Sequence, residues 1–365
     1  MNAPSFPLPS LIMILMIGLL ATISYAMPRL TRPDIYFAVT VAPGFRDSAE
    51  GRAILGRYRV ELSIYGIAAI AVALSGLWIL QPSSVTLIVA GLMLQPVGGF
   101  IAYYRARQRV RPHAVAPAAV REAALTPHDA RLPGGWTVQA GPFALLAAAA
   151  IWLGVHWTEI PDRFPVHWGM NGQPDRWATR SFIGVFLPLL MGAFFCALLG
   201  FFAHAIPRWS CVIRVGGAAG ESERYFRRTM VSIVVAAEYF MALVFAWAGI
   251  QALSAVRTGP PGIVPILVLS LSFTVVATFL LIRAGQGGSR LAGAAAAAGA
   301  IPTGDRTADR YWRLGLFYVN GDDPALFVEK RFGIGYTINW GHPGAWLLIG
   351  TLVVAAIVLA VARLH

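Results

Sequence analysis

The stretch that decides the fold runs from residue 182 to residue 204 and reads FIGVFLPLLMGAFFCALLGFFAH. It contains no Asp, Glu, Lys or Arg, and its only titratable groups are Cys196 and His204. A helix rises about 1.5 Å per residue, so about 20 apolar residues are enough to cross the hydrocarbon core of a bilayer. The stretch therefore predicts a transmembrane helix.

Seven other apolar segments have similar lengths, and together with 182–204 they predict eight transmembrane helices. They lie at 9–26, 62–80, 84–104, 139–157, 229–252, 263–282 and 344–362. Pro96, Pro188 and Pro265 fall inside three of the eight and predict kinks, because neighbouring helices can satisfy the freed carbonyls. The composition agrees, since 57% of the residues are hydrophobic and only 13% are charged. An ordinary soluble domain carries about twice that charged share. We therefore expect an all-α polytopic membrane protein.

The basic residues alternate along the chain in a way that predicts sidedness. The connections from residue 27 onward contain 6, 0, 6, 3, 5, 1 and 7 Lys or Arg residues in turn. If the rich connections are cytoplasmic, both termini lie outside the cell membrane. This excess accounts for the net charge of +12 without a nucleic-acid partner, and the predicted partner is the lipid bilayer. No basic residue precedes the first apolar segment, so we expect a retained helix and not a cleaved signal peptide.

The same pattern divides the chain into regions. We expect an N-terminal membrane region with three spans, a central membrane domain with four, a Gly/Ala-rich flexible linker, a cytoplasmic hairpin motif and a last helix. The predicted boundaries are 1–138, 139–283, 284–310, 311–343 and 344–365. Cys196 and Cys211 form no disulfide or metal pattern.

The connection 158–181 carries the strongest candidate binding residues. Its central part, 160–176, reads IPDRFPVHWGMNGQPDR. Proline fixes φ and glycine permits positive φ, so we expect a rigid loop outside the membrane. The side chains that it would present for binding are those of His167, Trp168, Asn171, Asp175 and Arg176.

Three interpretations of this loop stay open: hydrogen bonding within the loop, recognition of a partner or peptide, and binding of a metal ion. His167 and Asp175 are residue types that bind zinc, with His156, Glu159 or Asp162 as possible additions. A compact ligand spacing such as H-E-x-x-H is absent from the sequence. We therefore predict no cofactor.

The loop also carries a family resemblance. Its pattern P-V-H-W-G-x-x-G-x-P-D, with Pro165, His167, Gly172, Pro174 and Asp175 in place, resembles a membrane domain known from the SdpI-like toxin-immunity proteins of bacteria. The resemblance covers roughly 143–195. It implies an inner-membrane protein that resists a secreted toxin or signals its presence. The implied partner is a secreted peptide, a toxin or a cytoplasmic regulator.

A second resemblance lies near the C-terminus. Residues 312–324 and 326–340, WRLGLFYVNGDDP and LFVEKRFGIGYTINW, are similar to another domain of unknown function that accompanies the first. The second run alternates around two glycines and predicts a β-hairpin. Its aromatic residues Phe327, Tyr336 and Trp340 pack the sheet, anchor it at the membrane or form a binding face. Ala38 departs from the Phe-Gly-Val pattern expected in the first loop of such proteins. A lone hairpin is marginal in water, so we predict that 35–41 adds a third cytoplasmic strand.

Two polar residues fall inside predicted helices. Glu238 lies near the middle of the sixth segment, and Gln95 lies at similar depth in the third. Burying an ionisable group there costs several kcal/mol unless it is paired or protonated. Glu238 is therefore either a proton or substrate site of a secondary transporter, or a protonated group hydrogen-bonded to another helix.

The function that we expect is binding without catalysis, in toxin immunity or signal transduction, with transport as the alternative. A metal-dependent membrane hydrolase is the weaker alternative. The sequence contains no nucleophile and base at motif spacing, no phosphate-binding glycine loop and no zinc-protease signature.

Overall fold

The computed structural model describes residues 8–78, 83–116, 134–168, 174–210, 217–258, 264–288, 290 and 307–362. Within these ranges the chain forms eight α-helices. They are α1 (Leu8–Leu30), α2 (Ala49–Trp78), α3 (Ser83–Val110), α4 (Gly135–Val155), α5 (Phe182–Trp209), α6 (Gly217–Thr258), α7 (Val264–Ala284) and α8 (Pro343–Ala362).

Six helices are long and apolar enough to cross a membrane, from α2 through α7. The first and last helices are apolar as well, but their qualifying stretches, Ile14–Leu30 and Pro343–Val358, are shorter. The predicted helical membrane fold is confirmed by the length and composition of these six helices. The prediction of eight transmembrane helices is not confirmed, because the qualifying stretches of α1 and α8 do not reach this length.

The helices pack as two groups. In the first, α1 packs against the antiparallel pair α2 and α3, and in the second α6 packs against α4 and α5, while α1 also touches α7. Glycines let the backbones approach closely at the crossings. A Cβ on Gly98 would lie 2.4 Å from the Tyr65 side chain, and one on Gly192 would lie 2.6 Å from Cβ of Phe245. Larger residues at these two positions would push the helices apart.

Short strands pair as four antiparallel hairpins among the described residues. They are β1 (Ile35–Tyr36) with β2 (Val39–Thr40), β3 (Arg163–Trp168) with β4 (Pro174–Thr179), β5 (Trp312–Arg313) with β6 (Phe317–Tyr318), and β7 (Phe327–Glu329) with β8 (Tyr336–Ile338). The first hairpin turns through Phe37 and Ala38, which have φ of 45° and 62°. Positive φ at both central residues is the geometry of a tight two-residue hairpin turn.

The predicted pairing of 35–41 with the C-terminal hairpin is wrong. Residues 35–40 fold back on themselves, and Val41 bridges Ala114. The C-terminal hairpin takes other neighbours: Leu326 N donates to Trp209 O at 3.0 Å, and Trp340 N donates to Tyr318 O at 2.9 Å. The strand pattern in the sequence did not reveal the turn because neither central residue is glycine.

The two ends of the helices differ in what they carry. The hairpin β3–β4 leads directly into α5, whereas Ser210, just after α5, bridges Phe327 of β7. The 28 residues of α5 separate these points by roughly 42 Å. We call the end formed by β3–β4 the hairpin end. We call the other, formed by the loop 31–48 and residues 307–342, the basic end.

The segment predicted to be a flexible linker begins with an ordered turn. Residues 286–288 are buried, and Gln286 exchanges two hydrogen bonds with the backbone of Gly335, of 3.1 and 2.8 Å. Residues 291–306 of the segment lie outside the described residues.

Candidate functional site

The β3–β4 hairpin is held to the helices by one buried face. Phe164 and Ile160 pack with Val185 of α5 and Leu253 of α6 in a single apolar cluster. At the base of the hairpin, Arg180 Nη2 lies 2.5 Å from Asp162 Oδ1, and Arg180 N donates to Asp162 O at 2.9 Å. The predicted rigid loop is therefore a hairpin fixed at its root.

The register of the hairpin explains what its tip presents. The pairing shifts between Pro165 and His167 and again between His167 and Trp168. Proline has no N–H to donate to the ladder, and such irregularities redirect side chains. As a result, Val166 and His167 are both exposed although they are adjacent in sequence.

The structure brings two of the five predicted binding residues together. His167 and Arg176 are partners across the two strands, and both are exposed. Trp168 pairs with Pro174 through the backbone. Asn171 lies outside the described residues, as do the side chains of Trp168 and Asp175.

A metal site is not assembled from the described part of the hairpin end. No group of three or more His, Cys, Asp or Glu side chains suited to a metal ion occurs among the residues described. His156 Nδ1 lies 2.9 Å from Trp152 O, and Asp162 pairs with Arg180. Two of the additional ligand candidates thus have other partners.

The sequence did not identify Trp177 as part of this surface. Trp177 pairs with Pro165 on the hairpin and is 47% exposed, and the Arg163 guanidinium lies 5.5 Å from its ring centre. The feature of the sequence that could have identified Trp177 was its position two residues after Asp175 in an alternating run, since alternate residues of a strand point to the same face.

The two intramembrane polar residues occupy different helix groups. Gln95 is buried beside Gly66, between α2 and α3. Glu238 on α6 is fully buried and faces Gly200 of α5 and Gln139 of α4. Sequence reasoning did not single out Gln139, which stands at the edge of a predicted span. The two predicted polar positions therefore do not form one site.

Within the described residues, the polar side chain that faces the Glu238 carboxyl is that of Gln139. Neither carboxyl oxygen makes a hydrogen bond of ordinary geometry, and neither does Nε2 of Gln139, although the two side chains face each other. Gln139 lies in the second turn of α4, so Glu238 is closer to the basic end than its central place in the sixth segment indicates.

A cavity of about 500 Å³ lies between α4 and α5, next to this pair. We call it the α4–α5 cavity. Its lining is almost entirely apolar and aromatic, with Gln139 and His204 as the polar side chains. The residues that line it are Trp136, Gln139, Ala140, Phe143, Cys196, Ala197, Gly200, Phe201 and His204.

The basic end contains a buried polar core in addition to solvent-facing arginines. The buried Arg331 guanidinium donates to Ala38 O, to Thr307 O and to Asp309 Oδ1, the last at 2.5 Å. Arg32 Nη1 lies 3.7 Å from Glu329 Oε2, and both side chains are buried. Burial lowers the pKa of Lys330 and raises that of Tyr336. These contacts join the first loop to the C-terminal hairpins.

Two comparisons with known families match parts of the chain. A domain of unknown function, DUF1648, matches residues 144–192, which include β3 and β4. A family of unknown function, DUF5808, matches residues 322–346, which include β7 and β8. No curated protein and no solved structure matches.

These matches confirm the predicted presence of two domains of unknown function, and neither of them confirms the resemblance to SdpI-like proteins. The chain is an integral membrane protein, two segments of which match these families of unknown function.

Proposed function

We propose that this protein is a bacterial inner-membrane receptor that binds a secreted peptide or toxin at the β3–β4 hairpin, in immunity or signal transduction. It acts by binding and not by catalysis. Support comes from the exposed pair His167 and Arg176 and from the exposed Trp177, which follows Arg176 on β4, in a hairpin that is fixed at its root. Aromatic residues and arginine are the side chains most enriched at binding hot spots.

The observation that carries the signalling part is the continuity of α6. Its 42 residues form one helix of roughly 63 Å. Near one end, Leu253 packs in the cluster that holds Phe164 of the hairpin. Near the other end, the rings of Phe226 and Tyr336 lie 5.9 Å apart, which places α6 against the C-terminal hairpin. A displacement at the hairpin end would therefore reach the basic end through one element.

The proposal includes eight spans, with α1 and α8 crossing the membrane as well. It places the basic end in the cytoplasm and both termini outside, since arginines concentrate at that end.

The experiment measures survival of the native host in medium conditioned by its own secreted peptides. A deletion strain is complemented with the wild type, His167→Ala or Arg176→Ala. We expect the wild type to raise survival at least tenfold and both variants to lose this gain at unchanged abundance in the membrane. Thr179→Ala, exposed on the same hairpin, is the matched control and should protect fully. No protection by the wild type would exclude immunity, and loss of the variants from the membrane would mean that the pair is structural.

A second candidate, a secondary transporter, is favoured by the buried Glu238 carboxyl and the α4–α5 cavity beside it. The same strains separate the two functions. A transporter would tolerate His167→Ala and would lose its phenotype with Glu238→Gln.

A further inference from the structure

The α4–α5 cavity opens on the outer face of the helices. Three aromatic residues of its lining, Trp136, Phe143 and Phe201, keep 74%, 39% and 38% of their surfaces exposed. In a bilayer, this face is turned to the acyl chains or the headgroup boundary. A molecule dissolved in the membrane can therefore enter from the side. The volume of about 500 Å³ lies within the range of small-molecule sites.

The inner wall of the cavity is thin at Gly200. A Cβ at this position would lie 3.8 Å from each Glu238 carboxyl oxygen and 3.2 Å from Gln139 Oε1. Because Gly200 has no side chain, the side chains of Glu238 and Gln139 lie close behind its backbone. Gln139 itself lines the cavity and is buried, and among the described residues its Nε2 makes no hydrogen bond of ordinary geometry.

A cation bound at this wall would stabilise the ionised form of the Glu238 carboxyl over its protonated form. An ionised carboxylate in apolar surroundings is costly unless a positive charge or several hydrogen bonds accompany it. In the part of the chain that the structure describes, the group that faces the Glu238 carboxyl is the neutral amide of Gln139, and neither carboxyl oxygen makes a hydrogen bond of ordinary geometry. An ammonium group next to Gly200 would supply the missing charge and donors. The aromatic rings at the opening would favour the same charge through their faces.

We propose that the α4–α5 cavity binds an amphiphilic amine, with its apolar body among the aromatic side chains and its ammonium group directed past Gly200 to Glu238 and Gln139. This site is separate from the β3–β4 hairpin. A neutral lipid chain fits the apolar lining but leaves the carboxyl unpaired, so it should bind less tightly.

The test compares two probes with the same apolar body, 1-pyrenemethylamine and 1-pyrenemethanol. The full chain is placed in phosphatidylcholine nanodiscs, and binding is followed by energy transfer from tryptophan to pyrene. We expect the amine to bind the wild type at least tenfold more tightly than the alcohol. Glu238→Gln should remove this preference and leave binding of the alcohol unchanged. Ala197→Phe, which fills the cavity, should weaken both probes.

Two further variants secure the interpretation. Gly200→Ala keeps the carboxyl and closes the gap in the wall, so it should also remove the preference even if Glu238→Gln folds poorly. Gln95→Leu, a buried polar residue of the other helix group, is the matched control and should bind both probes as the wild type does. Equal binding of amine and alcohol to the wild type, or an unchanged preference in both Glu238→Gln and Gly200→Ala, would overturn the proposal.

Discussion

At the scale of single residues, Arg331 is the buried cation on which the basic end depends. Its guanidinium donates to Asp309, to the Thr40 hydroxyl at 3.3 Å and to two backbone carbonyls, and it lies 5.3 Å from the Trp312 ring centre. The planar fork of arginine fits several acceptors at once, which lysine does not. Removing one partner of such a pair leaves buried groups unsatisfied.

We therefore expect Arg331→Ala to destabilise the basic end by about 2 kcal/mol, less than for a fully buried pair because Asp309 is partly exposed. The measurement is thermal unfolding of the detergent-solubilised chain. Arg331→Lys should recover only part of the loss. Arg313→Ala is the matched control and should melt as the wild type does. An unchanged melting temperature for Arg331→Ala would show that the network is dispensable.

At the scale of elements, the β1–β2 turn accounts for a departure in the sequence. Ala38 stands where the Phe-Gly-Val pattern expected from the resemblance has glycine, and its φ of 62° is the left-handed conformation that glycine adopts freely. Its methyl group is fully buried. The structure thus gives a physical reason for glycine at this position and shows that alanine is accommodated at a cost.

For this turn we expect Ala38→Gly to be the most stable of three proteins, the wild type to be intermediate and Ala38→Val to be the least stable. Glycine removes about 1–2 kcal/mol of left-handed strain and gives up about 0.8 kcal/mol of methyl burial, so the gain stays within about 1 kcal/mol. Valine adds a branched side chain in a buried, left-handed position, so the loss should be larger. Thermal unfolding of the three proteins checks the order, and a Val variant as stable as the wild type would contradict the turn.

At the scale of the whole molecule, the testable feature is which end faces the cytoplasm. We expect Asn171 outside and Ala297 inside, because the arginine-rich connections should be cytoplasmic. Single cysteines are placed at 171 and 297 in a chain with Cys211→Ser, since the remaining Cys196 is buried. An impermeant thiol reagent on intact spheroplasts should label position 171 only. Labelling of 297 and not of 171 would invert the assignment, and permeabilised cells control for reactivity.

The apolar segments by themselves determined the helical membrane fold, because a helix in lipid satisfies its own backbone and needs only length and apolarity. The hairpin at 327–338 was also indicated, since turn residues and alternation are local signals. At 163–179 the sequence indicated a rigid loop, and the structure showed that this loop is a hairpin. The pairing of 35–40 with itself was not, because the turn uses Phe37 and Ala38 instead of glycine.

Only the tertiary structure decided which polar residues meet. Gln95 and Glu238 look equivalent along the sequence, yet different helix groups bury them, and Gln139 becomes the neighbour of Glu238. Arg331 is indistinguishable in sequence from the solvent-facing arginines around it and is nevertheless buried at the centre of the basic end. Such contacts depend on how helices and loops distant in sequence pack together, and periodicity within one segment carries no information about the partner that it will face.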